Sequence, residues 1–328
     1  MYSPSMKLVP GRAALAASGQ ARRPVAFVIG NFDGVHLGHQ ALLHAARERA
    51  AAAGGEVGVL TFDPHPAKLF APALAPPLIV SLRRRIELLG EAGADLVVVE
   101  PFTREFASIE APAFVREVLA RDLGARDVVV GYDFSFGRGR KGDTHLLATE
   151  GAALGIGVTV VPPVTVSGLT CSSTKVREFA LEGRVEGAAM LLGRPLEVTG
   201  EVVHGAGRGR GIGVPTANLQ PEGELLPKPG IYAGRAVILA DGNGGGTRSA
   251  HVCALSIGTN PTFKGAGALT GVLTIEAHLL DFDDDLYGRR LRLEIVHRLR
   301  DEQRFESTAA LVEQIHADFA ETRRVMAR

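Results

Sequence analysis

The sequence predicts an α/β Rossmann-like domain followed by a small antiparallel β-barrel domain with a C-terminal helix. Three observations carry this. From Val25 to about Val161, short and continuously apolar runs alternate with helix-forming stretches. From Leu196 to His297, β-type runs are separated by glycine and proline turns. The stretch from Thr308 to about Arg324 then reads as one amphipathic helix. Uniformly apolar strands suit a parallel sheet covered on both faces, and strand-rich segments with regular turns suit a barrel.

Residues 1 to about 22 contain Lys7, Pro10 and Arg12 and a mild alanine stretch. That is too short and polar for a secretory signal, and it reads as a loose extension with an alternative start at Met6. Strands are expected at Val25–Ile29, Val57–Phe62, Leu96–Glu100, Val128–Val130 and Val158–Val161. Helices are expected between them, at Gln40–Ala53, Leu82–Ala92, Ala111–Leu123 and Thr144–Leu154. Thr174–Leu192 reads as two helices divided by Gly183, with Ser172 or Ser173 as N-cap. The domains are placed at 23–186 and 187–328. The second takes strands at Glu197–Val203, Ile231–Leu239, Val252–Ile257, Gly271–Leu279 and Leu291–Val296, with a glycine-rich hairpin loop at Asp241–Thr247. In the last helix Leu311, Ile315 and Phe319 form one stripe.

The bulk numbers exclude several classes. Basic and acidic residues balance at 36 each, so binding nucleic acid through bulk charge is disfavoured. No apolar run approaches the roughly 20 residues of a membrane helix. The two cysteines, Cys171 and Cys253, lie in different halves, which argues against a disulfide scaffold and for the cytoplasm.

The most informative motif is Gly30-Asn31-Phe32-Asp33-Gly34-Val35-His36-Leu37-Gly38-His39. It joins the first strand to the first long helix, and its histidines fall three apart at the helix start, on one face. A helix N-terminus favours anions through its N–H groups and dipole. With two imidazoles the place suits a nucleotide phosphate, and it resembles the His-x-Gly-His signature of nucleotidyltransferases. The plainer readings are a surface accident or half of a metal site, which needs one or two more ligands, and no Cys or His cluster lies nearby at zinc-like spacing.

Three more segments follow strands: Thr61-Phe62-Asp63-Pro64-His65-Pro66, then Gly131-Tyr132-Asp133-Phe134-Ser135-Phe136-Gly137, then Ser172-Ser173-Thr174-Lys175-Val176-Arg177. Singly they read as a rigid turn, core aromatics and a helix cap. Together they are similar to the adenylyltransferase module of bacterial bifunctional riboflavin kinase/FAD synthetases, over residues 24 to about 194. The resemblance implies that His36 and His39 hold the ATP phosphates and stabilise the leaving pyrophosphate. It also implies a nucleotide site built from Gly30, Phe32, Asp33, Asp133, Ser173, Thr174 and Arg177. Two departures are Asp63, where glutamate is usual, and a longer Ser167–Cys171 lead into the serines.

In the second half, Gly205–Gly213 carries five glycines and two arginines and precedes Val214-Pro215-Thr216-Ala217-Asn218. Such a run is a hairpin or a phosphate-binding loop. Thr216 and Asn218, two apart, would present neutral oxygens on one side of a strand, suited to a Mg²⁺ that keeps several waters. Glu276 and His278 share a strand face and read equally as a half-exposed polar edge. Asp283-Asp284-Asp285 reads as a solvated turn. These motifs resemble the riboflavin kinase module of the same family over residues 195 to about 325. The resemblance implies ATP binding by Gly207, Arg208, Gly211, Gly213, Pro215, Thr216 and Asn218. Mg²⁺ would sit on Thr216 and Asn218, and Glu276 would be the catalytic base. Gly213-Val214 stands where Gly-Phe is frequent, a change of packing alone.

The combined expectation is a bifunctional enzyme using ATP and Mg²⁺. It makes FMN from riboflavin, then FAD and pyrophosphate from FMN, with small-molecule substrates, no nucleic-acid or membrane partner, and an open oligomeric state. The alternatives are a chain retaining one activity, or a non-catalytic nucleotide- or RNA-binding protein.

Overall fold

The computed structural model describes residues 6–17, 25–205, 213–240, 247–260 and 272–327. Internal contacts divide it into two compact units, Met1–Pro76 with Leu82–Cys171, and Pro77–Ser81 with Ser172–Arg328.

The first unit runs β1 (Lys7–Val9), α1 (Arg12–Ala17), β2 (Val25–Ile29), α2 (Leu37–Ala52), β3 (Glu56–Asp63), α3 (Pro66–Phe70), α4 (Leu82–Glu91), β4 (Leu96–Pro101), α5 (Arg104–Ala107), α6 (Ala111–Ala113), β5 (Ala125–Gly131), α7 (Thr144–Ala153) and β6 (Gly157–Val161). A hairpin of β7 (Thr165–Val166) and β8 (Leu169–Thr170) closes it. The main sheet is parallel, in the order β1-β4-β3-β2-β5-β6. All five residues of β2 are buried, as its uniform apolarity predicts. The strand order reverses between β2 and β5, and ligands of such sheets sit at the carboxyl ends of the strands beside that reversal.

Two expectations are corrected here, and one departure is given its structure. The loose extension over residues 1–22 fails at Lys7–Ala17, where β1 pairs with β4 and Arg12 bonds Glu100 and Asp122. Ala111–Leu123 is not one α-helix. After the α6 turn it widens into a π-helix over Phe114–Asp122, with Leu123 N donating to Val118 O. The longer Ser167–Cys171 lead is the turn and second strand of the β7–β8 hairpin, with Ser167 and Gly168 both left-handed (φ +50° and +77°), as a tight hairpin turn requires.

The second unit contains the segment Pro77–Ser81, α8 (Ser173–Leu181), α9 (Val185–Leu192) and strands β9 (Leu196–Val203), β10 (Ala217–Pro221), β11 (Gly230–Leu239), β12 (Thr247–Asn260), β13 (Val272–Leu279) and β14 (Arg290–Arg300). α10 (Thr308–Met326) ends it. The six strands close into a barrel in the order β10-β13-β12-β11-β14-β9, every pair antiparallel. Leu219, Leu255, Ile257, Ile275, Ala277, Leu293 and Ile295 are buried. Their neighbours Asn218, Ser256, Glu276 and His278 alternate with them and therefore face outward, only half-buried. α10 packs on β11, β12 and β14. Its stripe of Leu311, Ile315 and Phe319 stays half-exposed, and the side chain it buries most firmly beside Thr322 is Asp318. A bidentate Arg300–Asp318 pair (2.9 and 2.7 Å) compensates that charge, with Gln314 adding a hydrogen bond at 3.0 Å. The Asp241–Thr247 loop lies, save for Thr247 in β12, outside the described residues.

Candidate active sites

In the first unit the chain leaves β2 through a loop that is buried from Phe32 to His36. The turn is tight. Gly34 has φ +82°, and Phe32 and Val35 are also left-handed at +51° and +41°. For a β-branched valine this conformation is rare, and such strain concentrates at functional sites. Gln40 Nε2 donates to Val35 O across the turn at 3.0 Å. His36 is the N-cap of α2, its Nδ1 accepting from the backbone N–H of His39. The two imidazoles stack, with centroids 3.7 Å apart and planes 18° from parallel. Gly38 keeps the space beside the pair open, since a Cβ there would approach the His36 ring to 3.0 Å and the ring would have to yield. Phe32 meets the His39 ring edge-on at 5.1 Å. His39 Nδ1 is buried without a protein partner, although the residue as a whole is only half-buried. Burial, then His36, then Arg85 hold its pKa well below the usual imidazole value, so it is neutral near pH 7.

Arg85 is the residue that sequence reading missed. It is 2% exposed. From α4 its Nη1 donates to Asn31 O (2.8 Å) and its Nη2 to Phe62 O (3.1 Å). Those carbonyls lie two residues beyond β2 and one residue before the end of β3. Desolvation lowers the pKa of Arg85, while the carboxylates of Asp33 and Asp63 favour its charge. Thr61 Oγ1 also reaches Asn31 O, at 3.2 Å. In the sequence Arg85 is the third of three consecutive arginines and looks like a solvated helix face.

Gly131–Gly137 leaves β5, the strand beside β2, and carries Asp133 exposed at the same sheet edge. Phe134 and Phe136 stack at 5.5 Å and Phe136 joins the core. Ser173, Thr174 and Arg177 belong by their contacts to the second unit. There Ser172 caps α8, and Arg177 Nε donates to Pro77 O at 2.8 Å.

The second site lies on the outer face of the barrel. Asn218 pairs with Glu276 across β10 and β13, and Glu276 with Ser256 across β13 and β12. Thr216 Oγ1 donates to Glu276 Oε2 at 3.3 Å. His278 Nδ1 lies 2.6 Å from Pro215 O, and its ring stacks on Phe319 at 4.2 Å. Gly205 leaves no room for a Cβ against the Asn218 amide. Gly213 is left-handed at φ +76° and Val214 is buried. Gly207, Arg208 and Gly211 lie outside the described residues. A carboxylate with a hydroxyl and an amide oxygen beside it is the donor set of a hard divalent ion that retains water. No group of three or more His, Cys, Asp and Glu side chains placed to hold a metal ion occurs among the described residues. Asp283–Asp285 is an exposed turn in which Asp285 accepts from Tyr287 N.

Two family models match in tandem. One described as FAD synthetase covers residues 18–175, and one described as riboflavin kinase covers residues 192–326. The Escherichia coli K12 bifunctional riboflavin kinase/FMN adenylyltransferase is 37% identical over 95% of this chain and 96% of its own. The chain belongs to the bifunctional riboflavin kinase/FMN adenylyltransferase family. The Pseudomonas fluorescens member of this family is 39% identical over 91% of the chain and 92% of its own. A solved structure described as a macrolide-efflux protein from Streptococcus pneumoniae superposes with a TM-score of 0.82, at 31% identity and 97% and 99% coverage. Among the described residues here no helix is long and apolar enough to cross a membrane. The histidine loop falls inside the FAD synthetase match, and Thr216, Asn218 and Glu276 inside the riboflavin kinase match.

Proposed function

We propose that this chain carries out both reactions of its family. One ATP phosphorylates riboflavin, and a second donates AMP to the resulting FMN. The functional domains are 23–186, joined by Lys7–Ala17, and 187–328, and the enzyme works in the cytoplasm on small molecules, without nucleic-acid or membrane partners. The observation that supports the reading is that each half presents its own polar cluster inside its family match, the stacked His36–His39 pair and the Thr216–Glu276 contact.

In the kinase half the ribityl 5′-hydroxyl of riboflavin attacks the γ-phosphorus of ATP, the bond to the bridging oxygen breaks, and ADP leaves. Glu276 accepts the hydroxyl proton. Thr216 and Asn218 would hold Mg²⁺, which when bound neutralises phosphate charge. Gly207, Arg208, Gly211, Gly213 and Pro215 would bind the ATP phosphates.

In the adenylyltransferase half a phosphate oxygen of FMN attacks the α-phosphorus of ATP, and pyrophosphate leaves. The nucleophile is already an anion, so no base is required. His36 and His39, with the α2 N-terminus, orient the phosphates and stabilise charge on the leaving group. Gly30, Phe32, Asp33 and Asp133 are assigned to nucleotide binding, as are Ser173, Thr174 and Arg177.

A chromatographic time course with riboflavin, ATP and Mg²⁺ tests this. FMN should appear first and then convert to FAD. FMN that accumulates unconverted, also when supplied directly, would leave the kinase alone. No product from either substrate would favour a binding protein. Replacing His36 and His39 by alanine should stop the sequence at FMN, and FAD formed at the normal rate would remove the histidines from the mechanism.

A further inference from the structure

We propose that Arg85 is a positioning residue for AMP transfer. Its buried guanidinium joins the end of β2 to the end of β3 and so fixes where the histidine pair is presented. The inference rests on the adenylyltransferase reading above.

The geometry is unusual for a core arginine. Burying a guanidinium is costly, and apolar replacements of buried charges are frequently neutral or stabilising. Here both terminal nitrogens are spent on backbone carbonyls, at 2.8 Å to Asn31 and 3.1 Å to Phe62. Asn31 immediately precedes Phe32 and Asp33, and Phe62 immediately precedes Asp63. The fork therefore fastens two loops at the carboxyl ends of adjacent strands, where this sheet type holds its ligand. Arg85 Nε and His39 Nδ1 are both buried without a protein partner in this same region.

The charge has a second consequence. Asp33 and Asp63 face the guanidinium as opposite charges. A protonated His39 would meet both His36 and Arg85 as like charges. The two carboxylates thus favour the charged guanidinium, which in turn disfavours the imidazolium of His39. A planar fork can span two carbonyls in fixed directions, whereas a lysine ammonium supplies the charge without that geometry.

The test uses the full-length chain and two variants, Arg85→Met and Arg85→Lys. FAD formation from FMN, riboflavin phosphorylation, and the NMR titration of the His39 ring are measured on each. Arg85→Met should lower kcat for FAD formation about a hundredfold, the order expected when a reacting constellation is misplaced by about an ångström. Its kinase rate should stay unchanged and its His39 titration should move to higher pH. Arg85→Lys should keep the His39 titration where it is and lower kcat about tenfold, separating clamp from charge. A wild-type kcat in either variant, or an unmoved His39 titration in Arg85→Met, overturns the proposal. If Arg85→Met loses kinase activity as well, the fold has failed and Arg85→Lys alone decides. A parent chain that makes no FAD from FMN would sink the functional reading instead, which the parent assay reveals before any variant is made.

Discussion

His36 and His39 lie ring on ring, 3.7 Å apart, and the Nδ1 of the first accepts from the backbone N–H of the second. A stacked, partly desolvated pair does not readily carry two protons, and His39 is the member whose protonation burial and its neighbours oppose. An arriving phosphate reverses that balance, because its negative charge favours the imidazolium. Binding of pyrophosphate near pH 7 should therefore take up protons. Titration calorimetry in buffers of different ionisation enthalpy reads the uptake directly. His39→Gln should bind more weakly and lose the buffer dependence. Identical enthalpies in all buffers for the parent protein would show that the pair does not change protonation.

Glu276 offers a cleaner separation of the two halves. Its carboxylate receives the Thr216 hydroxyl, and it alternates with the buried Ile275 and Ala277. Glu276→Gln keeps the shape and removes the base. FMN formation should fall by about 10²–10⁴-fold, the usual contribution of a general base. FAD formation from supplied FMN should persist. Equal loss of both activities would contradict separate sites.

His278 ties the Pro215 carbonyl at 2.6 Å and is held by the Phe319 ring of α10. The carbonyl accepts, so Nδ1 carries the proton. Releasing Pro215 loosens the approach to Thr216. A hydrogen bond of this kind is worth about 1 kcal/mol net, so His278→Ala should raise the kinase KM for ATP about fivefold. AMP transfer should be untouched. Phe319→Leu should act in the same direction and more weakly, and steady-state kinetics on both variants would expose an unchanged KM.

What the sequence made legible was local. Val25–Ile29 is apolar throughout, and the histidine motif is contiguous, so strand, turn and helix start could be read without knowing what surrounds them. β1 could not. Lys7-Leu8-Val9 is three residues long, and its structure depends on β4 and on bonds from Arg12 to partners 88 and 110 residues away. β10 was only partly legible: Asn218 was expected on a strand, but Pro221 weakens the strand signal around it. Arg85 could not be told from Arg83 and Arg84 until α4 was placed against the ends of β2 and β3. Asp33 had a signal, being inside the motif, but its relation to a buried arginine had none.

Glu224 gives a prediction about stability. It lies in the second unit, 7% exposed, where residue 224 bridges Leu78 and its Oε2 has no partner. Burial, with help from the like charge of Glu222, raises its pKa from 4.5 to about 7, against backbone N–H groups that include those of Ser81 and Thr199. The folded state therefore holds this proton over a range where the unfolded state has released it. Between pH 4.5 and 7 stability must fall as pH rises, by about 3 kcal/mol over the interval at the usual 1.36 kcal/mol per unit. Below pH 4.5 both states are protonated and the residue costs nothing. Glu224→Gln mimics the protonated form, so it should stabilise the second unit at pH 8 and change little at pH 4. The chain has no tryptophan, so scanning calorimetry across this pH range is the suitable measurement. A glutamine variant whose melting temperature follows the parent at every pH would show that Glu224 titrates normally in the folded protein.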